Sequence, residues 1–438
     1  SIGGGAVTEN SYYVNGFPMT NPLTGFGSAQ LPFGAIAEAQ VLTGGFGAEF
    51  GRSIGGVMNV ITKSGKNTWE AGVMSSWSPN ALRNKQRDIY YPVTGRTYNG
   101  TTDGSVYIRR QDNSVDTKVF GAYVGGPLVE DKVFMFLSAE QTNTSQGFVN
   151  GLRTGTTNAK DGWNDTKATT TRYLAKFDWN ITDENRLEFM SLGDSPVLNI
   201  KRSGYDYTTQ QRVGTVTSEQ TNRNINDNGN QLNGLKYVGE LTQNLTATAL
   251  IGRAESKHEQ NLVGYNASAM GVVADPTVRV PGLSYNNPQS FGTNVPAAGS
   301  KDVVNVVRLD LEYKLGSHTL RGGYDKSKTD SLGGSTTPGG GTWTYFKTDN
   351  PNIPIPVTGG TIPPTKSGGG YGTQGYYVQK AYYSDVTESH GEQAAFYLED
   401  KYQVTKNILL VGGLRYESFS NKNKLGEKFL DQPGQINP

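Results

Sequence analysis

Short segments in which polar and apolar residues alternate recur along most of the chain. Around Leu309, for example, Arg308 and Asp310 fall on one side of an extended chain and Leu309 on the other. A period of two places alternate side chains on opposite faces of a β-strand. The pattern predicts eleven strands, at residues 68–77, 117–125, 133–141, 170–179, 186–192, 232–241, 245–256, 303–313, 318–326, 393–401 and 408–417.

The connections between these strands alternate between long and short. The short ones hold about three to seven residues, as expected of tight turns. The long ones are predicted extracellular loops at residues 78–116, 142–169, 193–231, 257–302 and 327–392. Antiparallel strands joined in this way place every long loop on one side, which is typical of an outer-membrane barrel.

Composition narrows the class further. The chain has 35% hydrophobic residues, 57 Gly and 24 Tyr, and this balance favours β structure over a large soluble α/β enzyme. A net charge of +1 gives no electrostatic case for a nucleic-acid partner. The absence of Cys excludes disulfides, Cys-based zinc sites and cysteine nucleophiles. No apolar run approaches the ~18–20 residues of a membrane helix, but a membrane strand needs only ~9–11 with one apolar face.

Residues 10–66 carry an ordered set of motifs. They include Tyr-Tyr-Val-Asn-Gly at 12–16, a Leu-Pro run at 31–42, Thr-Gly-Gly-Phe-Gly-Ala-Glu-Phe-Gly at 43–51, and Gly-Gly-Val-Met-Asn-Val-Ile-Thr-Lys at 55–63. This order resembles the C-terminal half of the plug of TonB-dependent outer-membrane receptors. Asn15 stands where the family usually has Asp, Gly45 where it has Pro, and Phe50 where it has Tyr. Later segments at 125–136, 396–405 and 413–417 resemble the OmpA-related (Oar-like) branch.

The resemblance and the strand pattern together predict an all-β membrane protein. A large antiparallel transmembrane barrel of about 22 strands, of which about eleven are present here, would enclose a small α+β plug. Residues 1–66 would be the C-terminal part of the plug, and residues 67–438 the N-terminal half of the barrel. We therefore expect the native chain to continue beyond both ends of this sequence.

The resemblance also assigns residues. The plug motif residues are Tyr13, Val14, Asn15, Gly16, Glu38, Gly44, Gly45, Glu49, Gly51, Arg52, Gly55, Gly56, Asn59, Thr62 and Lys63. Candidate ligand contacts, on the loop that follows the first plug strand, are Met19, Thr20, Asn21, Leu23, Thr24 and Phe26. Alternation predicts that Arg172, Lys176, Arg308, Glu399, Arg415 and Glu417 face the lumen, because charge facing lipid at mid-bilayer costs about 2–4 kcal/mol. Plug charges would pair with lumen-facing Glu399, Arg415 or Glu417.

The implied function is active transport of a scarce, bulky substrate across the outer membrane of a Gram-negative bacterium. The implied partners are TonB, bound through a missing N-terminal segment, outer-membrane lipid, and an unidentified small-molecule, oligosaccharide or peptide ligand. No catalytic residues, cofactor or metal site are expected: only three His are present, and they lie outside any recognisable motif.

Three other readings stay open at this point. A structural or adhesive surface barrel would lack energised uptake. A passive porin would lack a plug, so residues 1–66 argue against it. A soluble all-β carbohydrate-binding protein would carry polar residues on both outer faces.

Overall fold

The structure, a computed structural model, describes most of the chain in two β-sheets. The described residues are 6, 9–20, 29–43, 47–51, 55–95, 103–149, 157–207, 209–213, 223–225, 229–258, 261–262, 271–273, 278–283, 294–337, 342–357, 360–381 and 383–437.

A four-stranded sheet, hereafter the small sheet, is formed by the N-terminal residues. Its strands are β1 (Ser11–Val14), β2 (Phe17–Pro18), β3 (Ile36–Leu42) and β4 (Val57–Thr62), in the spatial order β2-β1-β4-β3. β1 runs parallel to β4, and the other pairs are antiparallel. A 3-10 turn at Phe33–Ala35 precedes β3, and this region has no α-helix among its described residues. The predicted α+β character of the plug is therefore not seen in this part of the chain.

Twelve antiparallel strands form a second, continuous sheet, hereafter the wall. In chain order they are β5 (Glu70–Ser78), β6 (Ser114–Val129), β7 (Val133–Val149), β8 (Thr157–Asn180), β9 (Asn185–Asp206), β10 (Gly229–Thr242), β11 (Leu245–Lys257), β12 (Lys301–Leu315), β13 (His318–Thr336), β14 (Ser384–Thr405), β15 (Ile408–Asn423) and β16 (Lys428–Asn437). Each strand pairs with its neighbour in sequence, so the wall is an uninterrupted meander.

All eleven predicted strands are present, and the prediction was short by one. β16 is the twelfth, and Pro433 and Gly434 interrupt its sequence pattern. Most strands also extend beyond their predicted ends on the side of the long connections. The predicted loop 142–169 is wrong in its bounds, because β7 continues to Val149, paired with Trp163 of β8, and β8 itself begins at Thr157, where it pairs with β9. That stretch is rich in Thr and polar on both faces, so it lacks the alternation that marked the lower strands.

The two faces of the wall differ as the alternation predicted. We call the face that contacts the small sheet the inner face and the opposite one the outer face. On β14, Tyr397 and Glu399 are 5% and 2% exposed on the inner face, whereas Phe396 and Leu398 are 58% and 63% exposed on the outer face. Aromatic Trp179, near the short turns, is also exposed on the outer face. The outer face is thus apolar and the inner face charged.

Smaller elements lie in the connections. They are 3-10 turns at Asn80–Leu82, Thr365–Gly368 and Gly370–Gln374, and short strands at Ile89–Tyr90, Val106–Ile108, Gln211–Val213, Arg223–Ile225, Asn261–Leu262, Gly271–Val273, Val295–Pro296, Thr342–Lys347, Ile355–Val357, Gly360–Ile362 and Tyr376–Ala381. No helix in the described part of the chain is long and apolar enough to cross a membrane.

Candidate functional site

The tip of the β1–β2 hairpin makes a buried polar contact between the small sheet and the wall. Asn15 and Gly16 form its two-residue turn with φ of +50° and +87°, as the mirror-image turn of a tight hairpin requires. The Asn15 amide donates to Thr62 Oγ1 at 2.8 Å and to Glu188 Oε1 at 3.0 Å, and its carbonyl accepts from the Thr62 N–H at 2.9 Å. A carboxylate at this position could not donate to Glu188. Asn15, in place of the Asp that is usual in the family, therefore supplies the hydrogen-bond donor that Glu188 on the wall accepts.

Charged side chains of the wall surround this contact. Glu188 also pairs with Lys176 at 3.1 Å, and Lys176 Nζ donates to Ser64 Oγ at 2.9 Å. Lys236 Nζ donates to the backbone carbonyl of Asn15 at 3.4 Å. Lys176 is 3% exposed. Each of these buried charges therefore has a partner on the wall or the small sheet, as burial of charge demands.

A second contact involves the turn at residues 47–51. Glu49 Oε1 pairs with Arg321 Nη1 at 2.5 Å. Glu399 Oε2 accepts from the Ala48 N–H at 2.7 Å, and Arg415 Nη1 donates to the Ala48 carbonyl at 3.2 Å. Two wall side chains of opposite charge thus bind the backbone N–H and the backbone carbonyl of the same residue, Ala48.

Gly51, the last residue of this turn, lets the wall approach closely. A Cβ on Gly51 would lie 2.4 Å from Glu417 Oε1 and 2.5 Å from Arg415 Nε. Arg415 is held in place by Asp325 at 2.5 Å and Glu417 at 2.6 Å. Any side chain at position 51 would therefore displace this ion-paired group.

A third contact lies near the 3-10 turn of the small sheet. Glu140 Oε2 accepts from the Phe33 N–H at 3.0 Å, and Asp194 Oδ2 accepts from the Gln30 N–H at 2.8 Å. Arg172 pairs with Glu140 at 2.6 Å and donates to Gln30 Oε1 at 2.9 Å. Here too the wall carboxylates bind backbone groups of the small sheet.

Between the polar contacts the two sheets share an apolar cluster. Phe17 is fully buried against Gly234 and Gly252, which face each other on β10 and β11. A Cβ on Gly234 would lie 2.4 Å from the Phe17 ring, and one on Gly252 would lie 2.9 Å from it. The buried members are Val14, Phe17, Met19 and Ala35 of the small-sheet region and Phe136, Leu174, Met190, Leu192, Leu232 and Leu250 of the wall. The glycine pair forms a recess that fits one aromatic ring.

A cavity of about 290 Å³ separates the small sheet from strands β12 and β13. Tyr13, Thr20 and Glu49 line it from one side, and Arg308 and Asp325 from the other. Arg308 is ion-paired with Asp310 at 2.8 Å. Polar or charged side chains therefore face the gap from both sides, beside the apolar Val304, Val306 and Val307 of the wall.

The predicted ligand contacts have different environments. Met19 is 3% exposed within the apolar cluster, so its burial argues for packing instead of ligand contact. Thr20 accepts the Tyr12 N–H at 3.0 Å and borders the cavity. The remaining ligand candidates Asn21, Leu23, Thr24 and Phe26, and the motif residues Gly44, Gly45 and Arg52, lie outside the described residues.

Other motif residues hold the small sheet together. Asn59 accepts the Gly16 N–H at 3.3 Å, and Gly56 N–H donates to Asn10 at 2.9 Å. Lys63 lies 4.4 Å from the centre of the Tyr123 ring on the wall. The remaining motif residues are Val14, in the apolar cluster, Gly55, whose N–H donates to the Glu9 carbonyl, and Glu38, which is exposed and accepts from Gln40.

Sequence reasoning missed several partners of these residues. Glu188, Glu140 and Arg321 lie on strands whose alternation was recognised, so their inward direction was available from the pattern. The recess at Gly234 gave no signal beyond an isolated glycine in a strand. The pairing of Glu49 with Arg321, where Glu399, Arg415 or Glu417 had been expected, depends on how the small sheet is seated in the wall.

The connection between β5 and β6 is held by a group of ion pairs, hereafter the brace, at the end of the wall where the long connections lie. Arg109 pairs with Asp88 at 2.6 Å and Asp112 at 3.1 Å, and the Tyr205 hydroxyl donates to Asp112. Burial raises the pKa of Asp112, but the hydrogen bonds from Arg109 and Tyr205 outweigh it and hold that pKa below its ordinary value. The brace thus depends on an ionised carboxylate.

The three His each contact a carboxylate. The ring nitrogens lie 2.7 Å from Asp302 for His258, 2.8 Å from Asp400 for His318 and 2.7 Å from Asp330 for His390. Across the described ranges, no group of three or more His, Cys, Asp or Glu has an arrangement that could hold a metal ion.

Comparison with known proteins finds outer-membrane proteins by family model, by sequence and by structure. Residues 149–435 match the model of the outer membrane beta barrel domain family. Over 136 residues the chain is 33% identical to the TonB-dependent transporter Oar of Myxococcus xanthus, an alignment that covers 31% of this chain and 12% of Oar.

Solved structures agree on the fold. The outer membrane transporter YddB from Escherichia coli matches with a TM-score of 0.56 and 13% identity over 100% of this chain and 51% of YddB. The outer-membrane ferripyoverdine receptor of Pseudomonas aeruginosa, bound to ferripyoverdine, matches with a TM-score of 0.53 and 12% identity over 98% of this chain and 47% of the receptor. The chain therefore spans about half the length of these structures.

Proposed function

This chain belongs to the outer membrane beta barrel domain family, and from that premise we propose that it forms part of a TonB-dependent transporter that takes up a scarce, bulky nutrient. Its relatives are outer-membrane transporters and receptors, and the protein is a component of the Gram-negative outer membrane. In this proposal residues 1–66 belong to a plug and residues 67–438 to the barrel around it. TonB supplies the energy through a segment outside this sequence.

The observation that carries the proposal is how the small sheet is held. Wall side chains bind its backbone at Gln30, Phe33, Asn15 and Ala48, largely through charged hydrogen bonds. Water can replace such bonds when the sheet moves, at a net cost of about 1 kcal/mol for an ordinary bond and about 1.5–3 kcal/mol for a charged one. A single extended apolar interface would offer no comparable replacement. The contacts support a plug that is specifically seated yet able to rearrange.

The ligand would meet the plug on residues 17–30. Thr20 at the cavity edge supports this position, and the neighbouring candidates stay part of the proposal. The ligand class, whether a small molecule, an oligosaccharide or a peptide, is left to experiment.

A reversible tether tests whether plug movement is needed. A Cβ on Gly413 of β15 would lie 3.2 Å from the Ala48 Cβ, a few tenths of an ångström inside the ~3.5–4.5 Å of a disulfide. The Ala48→Cys/Gly413→Cys variant of the full-length receptor should form this bond in the oxidising envelope. Residues 1–438 contribute no other Cys to this variant. A deletion strain of the source organism, carrying this variant or the wild type, is then grown on iron-, sugar- and peptide-limited media.

We expect the wild type to restore growth in at least one medium, and the tethered receptor to do so only with reductant. The matched control joins Ala122→Cys to Ala139→Cys, two wall positions that face each other, and should support growth without reductant. Full growth with the 48–413 bond demonstrably formed would refute plug movement. A deletion strain without a growth defect in any medium, but with reduced surface attachment, would favour the adhesive barrel.

A further inference from the structure

The outer face of the wall continues well above its apolar belt. On β8, outward-facing residues run from Trp179 near the short turn to Thr169, about 33 Å along the strand and about 25 Å along the membrane normal at the usual tilt. Thr169 pairs with Asn143, Asn143 with Lys118, and Lys118 with Trp77. On β8 the upper edge of the hydrocarbon layer therefore lies near Thr169, and this row leads from there to Trp77.

Trp77 has the surroundings of an interfacial anchor. Its ring is exposed, its Nε1–H donates to Asp116 at 3.0 Å, and Lys118 Nζ lies 5.6 Å from its centre. Trp is enriched at this depth because one part of the ring can be apolar while its N–H is hydrated. The wall above Trp77 consequently stands in the headgroup region.

The first long connection folds over this outer face. Trp163 and Tyr205 share the parity of outward-facing Phe177 and Phe189, and their rings stack at 6.0 Å. They are nevertheless buried, because residues 80–85 and 111–114 cover them around a cavity of about 510 Å³. That cavity lies outside the barrel wall, and Trp163 at its base is about 15 Å above Thr169 along the membrane normal.

Three cations stand at the rim of this cavity or next to it. Arg83, Lys85 and Arg87, hereafter the basic patch, are exposed, and no carboxylate among the described residues lies within ion-pair distance of them. The neighbouring Arg109 and Arg212, in contrast, each have a carboxylate partner. Lys85 acts on the Asp112 carboxylate only at longer range, where it helps to lower the pKa of that carboxyl. In a chain of net charge +1, these three cations within five residues form a local anion-binding surface.

We propose that the basic patch binds the phosphorylated headgroup of a glycolipid in the outer leaflet of the membrane. Leu82, 84% exposed beside the cations, and Trp77 below them supply apolar contact with the same lipid. A nutrient bound here would lie outside the wall, away from the inner face and the small sheet. Clusters of exposed Lys and Arg are attracted to anionic headgroups at a membrane surface, so a phosphorylated headgroup has the charge that complements the patch.

The test compares two triple variants of the full-length receptor, purified from outer membranes in mild detergent. Arg83→Gln/Lys85→Gln/Arg87→Gln removes the patch. Lys132→Gln/Lys314→Gln/Lys406→Gln removes the same charge at exposed positions on or beside the short turns, on the opposite side of the membrane. Affinity for purified lipopolysaccharide is measured by thermophoresis, and co-purified glycolipid by native mass spectrometry.

With about 1 kcal/mol per cation, the patch variant should bind lipopolysaccharide on the order of 100-fold more weakly. The short-turn variant should bind as the wild type does. Arg83→Lys/Arg87→Lys should keep most of the affinity, which excludes misfolding as the cause of any loss. The uptake-blocked 48–413 tether should bind normally, so this inference and the transport proposal can fail separately.

Two results would overturn the proposal. An equal loss in both triple variants would reduce the effect to net charge. Displacement of the glycolipid by millimolar inorganic phosphate would assign the patch to a free anion in solution.

Discussion

Replacing Asn15 with Asp should unseat the small sheet from the wall. The Asn15 amide donates to Glu188 Oε1 at 3.0 Å in a buried position. In the variant, two carboxylates would meet at this distance. At an effective dielectric constant of about 20 their repulsion is about 5 kcal/mol. Uptake of a proton by one of them limits the cost to about 4 kcal/mol at pH 7, given an ordinary carboxyl pKa near 4.

Hydrogen–deuterium exchange of the peptide that contains β1 and β2 measures this cost. A loss of about 4 kcal/mol lowers the protection of these amides by up to about a thousandfold. Asn15→Ala removes both the donor to Glu188 and the acceptor of the Thr62 N–H without adding charge, and should cost about 1–3 kcal/mol. Glu188→Gln in the Asn15→Asp background removes the repulsion and should restore most of the protection.

The comparison between the two Asn15 variants shows whether repulsion between carboxylates acts at this position. Equal protection in Asn15→Asp and Asn15→Ala would mean that no carboxylate repulsion acts there. Failure of Glu188→Gln to restore protection would mean that Glu188 is not the group that selects Asn at this position.

Two further predictions follow from the recess and the brace. Gly234→Ala places a methyl group 2.4 Å from the buried Phe17 ring and should lower the hydrogen-exchange protection of the same β1–β2 peptide by the equivalent of about 1–3 kcal/mol. Gly412→Ala, with no atom within 4 Å, is the control. Equal effects of the two substitutions would refute the packing of Phe17 into the glycine recess. A spin label on Asn84→Cys should stay immobile near neutral pH and become mobile as the pH falls below about 4. The reason is that the Asp112 carboxylate, whose pKa is lowered in the fold, stabilises the fold above its ordinary pKa and ceases to do so as it takes up a proton. Asp112→Asn should make the label mobile at every pH, and a label that stays immobile in acid would contradict the brace.

The sequence was sufficient to predict the strands of the wall, but it was insufficient to predict which wall residues contact the small sheet. Alternation located eleven strands because each has one lipid-facing and one charged side. It failed at β16, where Pro433 and Gly434 interrupt the pattern, and at 142–169, where both faces are polar above the membrane. Asn15 was recognised as a motif position, but its partner Glu188 lies 173 residues away. No local pattern encodes which wall strand faces which turn of the small sheet.

The contacts at Ala48 have a consequence for how this interface can change over evolution. Glu399 and Arg415 bind the N–H and the carbonyl of Ala48, groups that nearly every amino acid possesses. The same holds for Glu140 at Phe33 and Asp194 at Gln30. Mutations at these small-sheet positions leave the wall's hydrogen bonds in place, whereas loss of a wall carboxylate removes them. Selection can therefore vary the residues at positions 30, 33 and 48, while the barrel keeps the side chains that bind their backbone groups.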